Sequence, residues 1–562
     1  MRTLQVFLVA AVIAAIPGWA RAQTQTPTPS SAVEQEVDRI TAREAQVVKA
    51  LRQYTPIIET YIQDMRPDRE LGAVPVKDHY FLGTSFLSKG IVEHSMISKE
   101  GHNKMNVFAH IGDMFSSGYV PEGFLQMIFV DAYGFDRQHY QFEYIRREFL
   151  GEIRCLVFDV TPLKNSGKGR FKGRIWVEDQ DNTIVRFNGI FVPTESTFGR
   201  NVHFDSWRVN VLPGVWMPAY IYSEETDLKD FMFGHVRFKA QTRLWGYNLG
   251  HVGHQEEFSD LKVESKDQIK DQATETQDRS PIEAERAWNR QAETNVIDRL
   301  QLAGLLAPQG EVDKVMETVV NNLEVTNNID VQPEVHCRVL LTATLESFSI
   351  GHTIVLSRGL LDVLPDEANL AAMLAHELGH VMLGHPFDSE WAFNDKTMFP
   401  IDETLRHFNF HSNQSDELLA DQRAVEILKK SPYRDKLTSV GLFMKQLSEE
   451  SKSLPALVSS HMGNRVFVAP ELTSTAPEVQ PAKLDQIAAL PLGSRVKLDP
   501  WSDRVELVKA KPATLLSERD KMPFQVTPFF PYLTRKTTSP GTTSAAPGPD
   551  PTKADVAKKE QP

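Results

Sequence analysis

The chain predicts an α+β multidomain protein, with an N-terminal antiparallel β-sheet domain followed by a mainly helical domain. Three observations predict it. At 562 residues the chain is too long for one ordinary hydrophobic core. Between about Val74 and Asn248, short aromatic and β-branched runs alternate with turn signals, the mark of an antiparallel sheet. Beyond Pro281 the apolar residues fall at helical spacing instead, and one such helix carries His376-Glu377-Leu378-Gly379-His380.

Residues 1–22 read as a secretory signal. Arg2 supplies the positive end, residues 4–16 are apolar, and Pro17-Gly18 break the run before Ala20-Arg21-Ala22, after which cleavage is expected. The apolar stretch is shorter than the roughly 20 residues a spanning helix needs. Residues 23–70 hold a flexible lead-in and then an amphipathic helix, whose apolar face is Val33, Val37, Ile40, Val47, Val48, Leu51 and Tyr54 and which is expected to run to about Asp64. Residues 71–259 form the β-rich domain, with strands at 174–177, 183–187 and 208–211 separated by Asp181-Asn182 and Pro213-Gly214. Trp176, Trp207, Trp216 and Trp245 are expected to fill its core.

Residues 260–280 are polar, charged and free of aromatics except Phe258 just before them, so they read as a linker. The second domain, 281–470, starts with helices at 282–302 and 312–323 and strand-like runs at 335–343 and 353–356. The His-Glu-x-x-His helix comes next, and a further helix is expected at 437–448. A C-terminal extension, 471–536, contains a small hairpin formed by 495–498 and 504–508, and residues 537–562 form a Pro/Ser/Thr/Lys-rich disordered tail.

A formal charge of −13 without a basic block repels phosphate backbones, so nucleic acid is excluded as a partner. After the leader no run of 18 apolar residues appears, so the mature chain is expected without a transmembrane segment, exported to a periplasm or secreted. No cysteine follows the leader for lipid attachment. Cys155 and Cys337 are the two cysteines, and whether they pair is left open by their separation.

Asp366 can cap the motif helix, which buries Leu370, Ala371, Leu374, Leu378 and Val381. His376 and His380 are four apart and share one face, where both imidazoles can bind one zinc ion. Glu377 lies one step round the helix, beside the metal, where a carboxylate can take a proton from an activated water and return it to a leaving amine. A catalytic zinc site needs a third protein ligand. Glu417 is the best candidate, on a second helix marked by Leu418, Leu419, Ala424, Val425, Ile427 and Leu428. Asp421, one turn on, can accept an N–H from a zinc-bound histidine, and Ala420 lets the helices pack closely. Leu383 and Pro386 stand where the other common arrangement would place a glycine and a third histidine.

Phe348 through His385, together with Glu417-Leu-Leu-Ala-Asp421, resembles the gluzincin family that contains the CAAX prenyl endopeptidase and the bacterial heat-shock and outer-membrane-assembly metalloproteases, the forty-eighth metallopeptidase family. The resemblance covers about residues 285–470. It implies one zinc per chain on His376, His380 and Glu417, Glu377 as catalytic base, and Asp421 as a supporting carboxylate. It also implies a strand along the cleft, matched by Ser347-Phe348 and 353–356, which would bind substrate backbone or simply pair within the core. His352 stands where the family has a glycine and is expected at the surface. His385 is expected to be supporting or structural. His461 and Arg465 lie nearest the family element that approaches the developing oxyanion, and are carried as transition-state stabilisers. His251 and His254 read as solvated residues at a strand end.

Residues 155–163, 173–186 and 211–218 resemble strands of the half-open barrels that carry or sense lipoproteins in the bacterial periplasm, which implies lipid or lipoprotein contact through the β domain. The expected function is an exported zinc metalloendopeptidase acting on protein or peptide substrates, misfolded envelope proteins among them. Prenyl-protein processing is disfavoured because that branch's membrane helices are absent. The alternative is a periplasmic lipid- or client-binding chaperone with a structural or latent zinc site.

Overall fold

The computed structural model describes residues 29–69, 71–87, 92–96, 119, 121–192, 202–225, 237–248, 280–394, 404–480, 483, 485–493, 495–508 and 521–536. The leader, almost all of the 260–280 linker, the 537–562 tail, His251 and His254 lie outside them.

Helix α1 (Pro29–Leu51) opens the chain, followed by β1 (Ile57–Asp68), β2 (Gly72–Phe86), β3 (Val92–Ser95), α2 (Pro121–Gln126), β4 (Tyr140–Leu150) and β5 (Ile153–Pro162). Strands β6 (Arg170–Glu178), β7 (Ile184–Val192), β8 (Val202–Leu212), β9 (Val215–Glu225) and β10 (Arg237–Trp245) complete an open ten-stranded antiparallel sheet in the order β3-β2-β1-β10-β9-β8-β7-β6-β5-β4. The helix expected to reach about Asp64 ends at Leu51. Pro56 biases Thr55 away from helix, and the β-branched Ile57, Ile58, Thr60 and Ile62 then alternate as a strand. That strand sits inside the sheet, with Ile57 opposite both Thr84 of β2 and Trp245 of β10.

Because successive side chains point to opposite faces, each strand feeds two cores. Ile58, Ile62, Phe158, Val177, Met217 and Ile221 face α1 and α2, where Val37, Ile40, Val47, Val48, Leu51, Phe124 and Leu125 close over them. Ile57, Tyr61, Val157, Trp176, Trp207, Trp216, Tyr220 and Trp245 face the other way and share one continuous core with the second domain. The four tryptophans therefore do fill a core, but one that joins the two domains: the Trp245 indole N–H donates to Gly304 O at 2.7 Å.

The second domain runs through α3 (Pro281–Leu302), α4 (Glu311–Asn327), β11 (His336–Leu340), β12 (Glu346–Ile350), β13 (Thr353–Ser357), α5 (Arg358–Val363), α6 (Glu367–Leu383), α7 (Thr404–His407) and α8 (Gln414–Lys430). It continues through α9 (Leu437–Glu450), α10 (Pro455–Val458), β14 (Asn464–Arg465) and α11 (Pro470–Thr475). Its small sheet has the order β11-β13-β12-β14. Strand β13 is paired on both sides, so residues 353–356 have no free edge to offer a substrate. On β12 only Glu346 and Ser347 pair outward, with Arg465 and Asn464. The expected terminal hairpin is present as β15 (Val496–Leu498) and β16 (Val505–Leu507).

Buried polar bonds stitch the seam. Glu59 of β1 accepts from Ala343 N at 2.5 Å and pairs with Arg358, and Gln63 exchanges hydrogen bonds with Phe524 O and Val526 N at 2.9 Å each. Residues 521–536 then cross the sheet, with Leu533 O accepting from Glu152 N at 2.9 Å and Arg535 reaching Glu178. Cys155 and Cys337 are both buried free thiols, one in each domain, and burial pushes the Cys155 thiol up to about 12.

Candidate metal centre

Helix α6 starts where Asp366 accepts from Asn369 N at 3.0 Å and ends at Gly384, whose φ of 65° suits a residue without Cβ. It is buried almost throughout, so its polar residues are present at a desolvation cost. Helix α8 starts at Asn413, which accepts from Asp416 N at 2.9 Å. The two helices touch where Gly379 meets Ala420: a Cβ on Gly379 would lie 3.1 Å from Ala420 O. That close approach brings Glu417 and Asp421, one turn apart on α8, against His376 and His380, one turn apart on α6.

The Nε2 atoms of His376 and His380 lie 3.3 Å apart. Glu417 faces both, at 3.5 Å from His376 Nε2 and 3.2 Å from His380 Nε2. The ligand atoms of these three residues all lie within 4.8 Å of one another. Behind His376, Asp421 Oδ1 is 3.0 Å from Nδ1, and the Phe467 ring stacks on the imidazole at 4.8 Å. Behind His380, Nδ1 is 2.8 Å from His385 Nδ1, and His385 Nε2 is 3.8 Å from Asp416. Each back nitrogen thus has a polar neighbour within 3.0 Å, and both Nε2 atoms lie against Glu417. Burial and the neighbouring His380 lower the His385 pKa.

The electrostatics say what the spot wants. Burial alone would lower His376, yet Asp421 and Glu417 raise it to about 10. Burial alone would raise Glu417, yet the two imidazoles pull it down to about 2. Two imidazoles and a carboxylate held well below its usual range converge as a group that could hold a cation, and the donor set fits a zinc ion with three protein ligands.

Glu377 is fully buried beside this set, and among the described residues neither carboxylate oxygen has a regular hydrogen bond. Desolvation raises its pKa, partly offset by His376, His380 and Ser347. His461 and Arg465 do not join the three-residue ligand group. The His461 ring stacks on Tyr80 of β2 at 5.3 Å, its Nε2 is buried without a partner, and burial lowers its pKa. Arg465 is exposed on β14. His352 is half-buried at the β12–β13 turn, its N–H held by Glu293 at 3.2 Å.

Sequence reasoning missed Glu346 and Asn464. Glu346 Oε2 accepts from the N–H groups of His461, Met462 and Gly463 at 3.2, 3.1 and 3.3 Å. Asn464 lies opposite Ser347 and accepts from Ser412 N at 2.8 Å, while Ser412 Oγ stands 3.5 Å from His380 Nδ1. Glu346 had a signal, being the lone charge in an otherwise apolar and hydroxyl-bearing stretch. Two hollows lie away from the ligand set: an open trough of about 510 Å³ lined by Asp159, Lys172, Arg174, Trp176, Asn188 and His203, and a cavity of about 80 Å³ between residues 529–536 and the large sheet.

Residues 307–394 match the model of Peptidase family M48, a span that contains His376, Glu377 and His380 and stops before Glu417. No curated protein matches the chain. Among solved structures, a LolA superfamily protein from Nitrosomonas europaea is similar at 12% identity over 37% of this chain and 91% of that one, with a TM-score of 0.20. A putative outer membrane lipoprotein-sorting protein domain from Vibrio parahaemolyticus is similar at 10% identity over 36% and 88%, also with a TM-score of 0.20. A DUF1329 family protein from Desulfovibrio piger is similar at 12% identity over 38% and 90%, with a TM-score of 0.19.

Proposed function

We propose that the chain, with its Peptidase family M48 segment at 307–394, is an exported zinc-dependent endopeptidase that hydrolyses peptide bonds of envelope proteins. Glu377 carries the reading. A carboxylate buried without a partner costs several kcal/mol, and a structural zinc, closed by four protein ligands, has no use for one. Three converging donors with an ionisable carboxylate beside them are what hydrolysis requires.

Held by His376, His380 and Glu417, zinc would supply Lewis acidity toward the scissile carbonyl and the attacking water. Glu377 takes the proton of that water and returns it to the leaving amine. Its raised pKa brings it closer to the working pH for both transfers. Asp421 holds the His376 Nδ1 proton and His385 holds that of His380, so each imidazole presents Nε2. His461 Nε2 and Arg465 are assigned to the developing oxyanion. Export rests on the leader-like residues 1–22, and no helix among the described residues is long and apolar enough to cross a membrane. Envelope quality control, with misfolded proteins as substrates, is the role this combination fits best.

The test is cleavage of casein or an unfolded envelope protein by wild type, Glu377→Gln and chelated protein, with Glu417→Ala as the metal-poor control. Glu377→Gln is expected to keep its zinc and lose about 10²–10⁴-fold in kcat/KM, while Glu417→Ala loses the metal. Equal cleavage by wild type and Glu377→Gln would overturn the base. Absence of cleavage by zinc-loaded wild type would favour a client- or lipid-binding chaperone with a latent site.

A further inference from the structure

Two side chains of β2 carry the sheet domain to α10 and to His461. Asp78 accepts from Ala456 N at 2.9 Å and Leu457 N at 2.8 Å, fixing α10, and from the Tyr61 hydroxyl at 3.0 Å. Two residues along the strand, and so on the same sheet face, Tyr80 stacks on the His461 ring at 5.3 Å with planes 20° apart. The Tyr80 hydroxyl donates to Glu59 at 2.8 Å, and Glu59 is itself pinned by Ala343 N and Arg358. On the other side Glu346 takes the amides of His461, Met462 and Gly463. The segment between α10 and β14 is therefore gripped from two directions: by β2 of the large sheet and by β12 of the small one. Its far end, Asn464, bonds to Ser412 beside His380 and pairs with Ser347, the neighbour of Glu377.

We propose that Tyr80 and Asp78 position residues 456–464 for the reaction, so that the β domain is a built-in part of the active site and not a tethered substrate carrier. Tyr80 is a positioning residue acting through His461. Its ring fixes the imidazole plane, and its bond to Glu59 fixes the ring against the framework that holds α5. A displaced imidazole would leave metal binding intact and weaken only stabilisation of the transition state. The kinetic side of this rests on the peptidase reading; the positioning side does not.

The experiment uses the full chain with zinc and compares wild type, Tyr80→Leu, Tyr80→Phe, His461→Ala and Tyr80→Leu/His461→Ala. The readouts are kcat and KM on a quenched peptide, zinc content, and hydrogen exchange of residues 456–464. Tyr80→Leu is expected to lower kcat about tenfold or more with zinc unchanged, to leave KM within about twofold, and to speed exchange across 461–463. Tyr80→Phe, which keeps the stack, recovers most of the rate. In the His461→Ala background Tyr80→Leu costs nothing further, since the two act as one unit. Wild-type kcat and wild-type exchange in Tyr80→Leu would overturn the proposal, as would losses that add fully to those of His461→Ala. Should zinc-loaded wild type cleave nothing, the peptidase reading fails, and exchange alone then decides: faster exchange in Tyr80→Leu but not Tyr80→Phe supports the positioning role, and unchanged exchange ends it.

Discussion

Two buried carboxylates in this molecule are treated in opposite ways. Glu44 of α1 is 1% exposed and grips Arg208 of β8, itself 0% exposed, with two parallel bonds of 2.6 and 2.7 Å. Arg208 also donates to Ile184 O and Ile128 O, so this ion pair ties α1, the sheet and the segment after α2 together. Glu377 of α6 is equally buried and has no such partner. A paired buried charge specifies packing, because only one placement of α1 satisfies both ends. A carboxylate left without a partner works against the fold, and such a cost persists where the group is needed for chemistry. The contrast separates a structural core, between α1 and the sheet, from the proposed reactive one, between α6 and α8.

The largest effect should come from breaking the pair on one side. Arg208→Met strands Glu44 in an apolar core and is expected to cost about 3–5 kcal/mol, measured by urea unfolding. Replacing both partners by apolar residues should recover most of that loss. A cost for Arg208→Met no greater than that of an exposed ion pair would erase the distinction. The matching change in the reactive core should have the opposite sign. In metal-free protein Glu377→Gln removes a buried charge whose desolvation outweighs what its neighbours return, and is expected to stabilise by about 1 kcal/mol. A lower melting temperature for Glu377→Gln in chelator would show that the carboxylate is held as firmly as Glu44, and the comparison would fall.

The two cores also differ in how much of them the amino-acid order reveals. The reactive core is written locally: His376 and His380 one turn apart, Glu417 and Asp421 one turn apart, Asp366 before the first helix and small residues at the crossing. Helical periodicity alone places those groups on two faces, and only the docking of the faces had to be supplied. The sheet was legible as strands, because aromatic and β-branched runs between turns have a period of their own. Its seam with the second domain was not. Glu59 meets Arg358, Asp78 meets Leu457, and residues 521–536 cross the sheet, contacts between segments hundreds of positions apart that leave no local pattern. Strand β1 was hidden for a different reason: it follows α1 so closely that one apolar periodicity runs on into it, and only Pro56 marks the change.

Asp503 lies between these two extremes. It is buried at the β15–β16 turn with φ of 56°, accepts from Gly246 N at 2.8 Å, and so ties the end of β10 to the C-terminal extension with one amide and, among the described residues, no cation. Burial, with Asp499 nearby, pushes its pKa up to about 7 from an ordinary 3.8, against the smaller lowering by that amide. The folded protein therefore binds this proton more tightly than the unfolded chain does. The stability this gives is complete below the unfolded value and is lost as pH rises through the folded one. Between pH 6 and pH 8 the site should cost about 1 kcal/mol. Asp503→Asn keeps a carbonyl oxygen for the Gly246 amide and tolerates the left-handed backbone, so it should flatten that part of the pH profile. Urea midpoints of the two proteins at both pH values check it. If the same slope remains in Asp503→Asn, ionisation of this carboxylate is not what opposes the fold, and its single amide bond holds it as completely as the guanidinium holds Glu44.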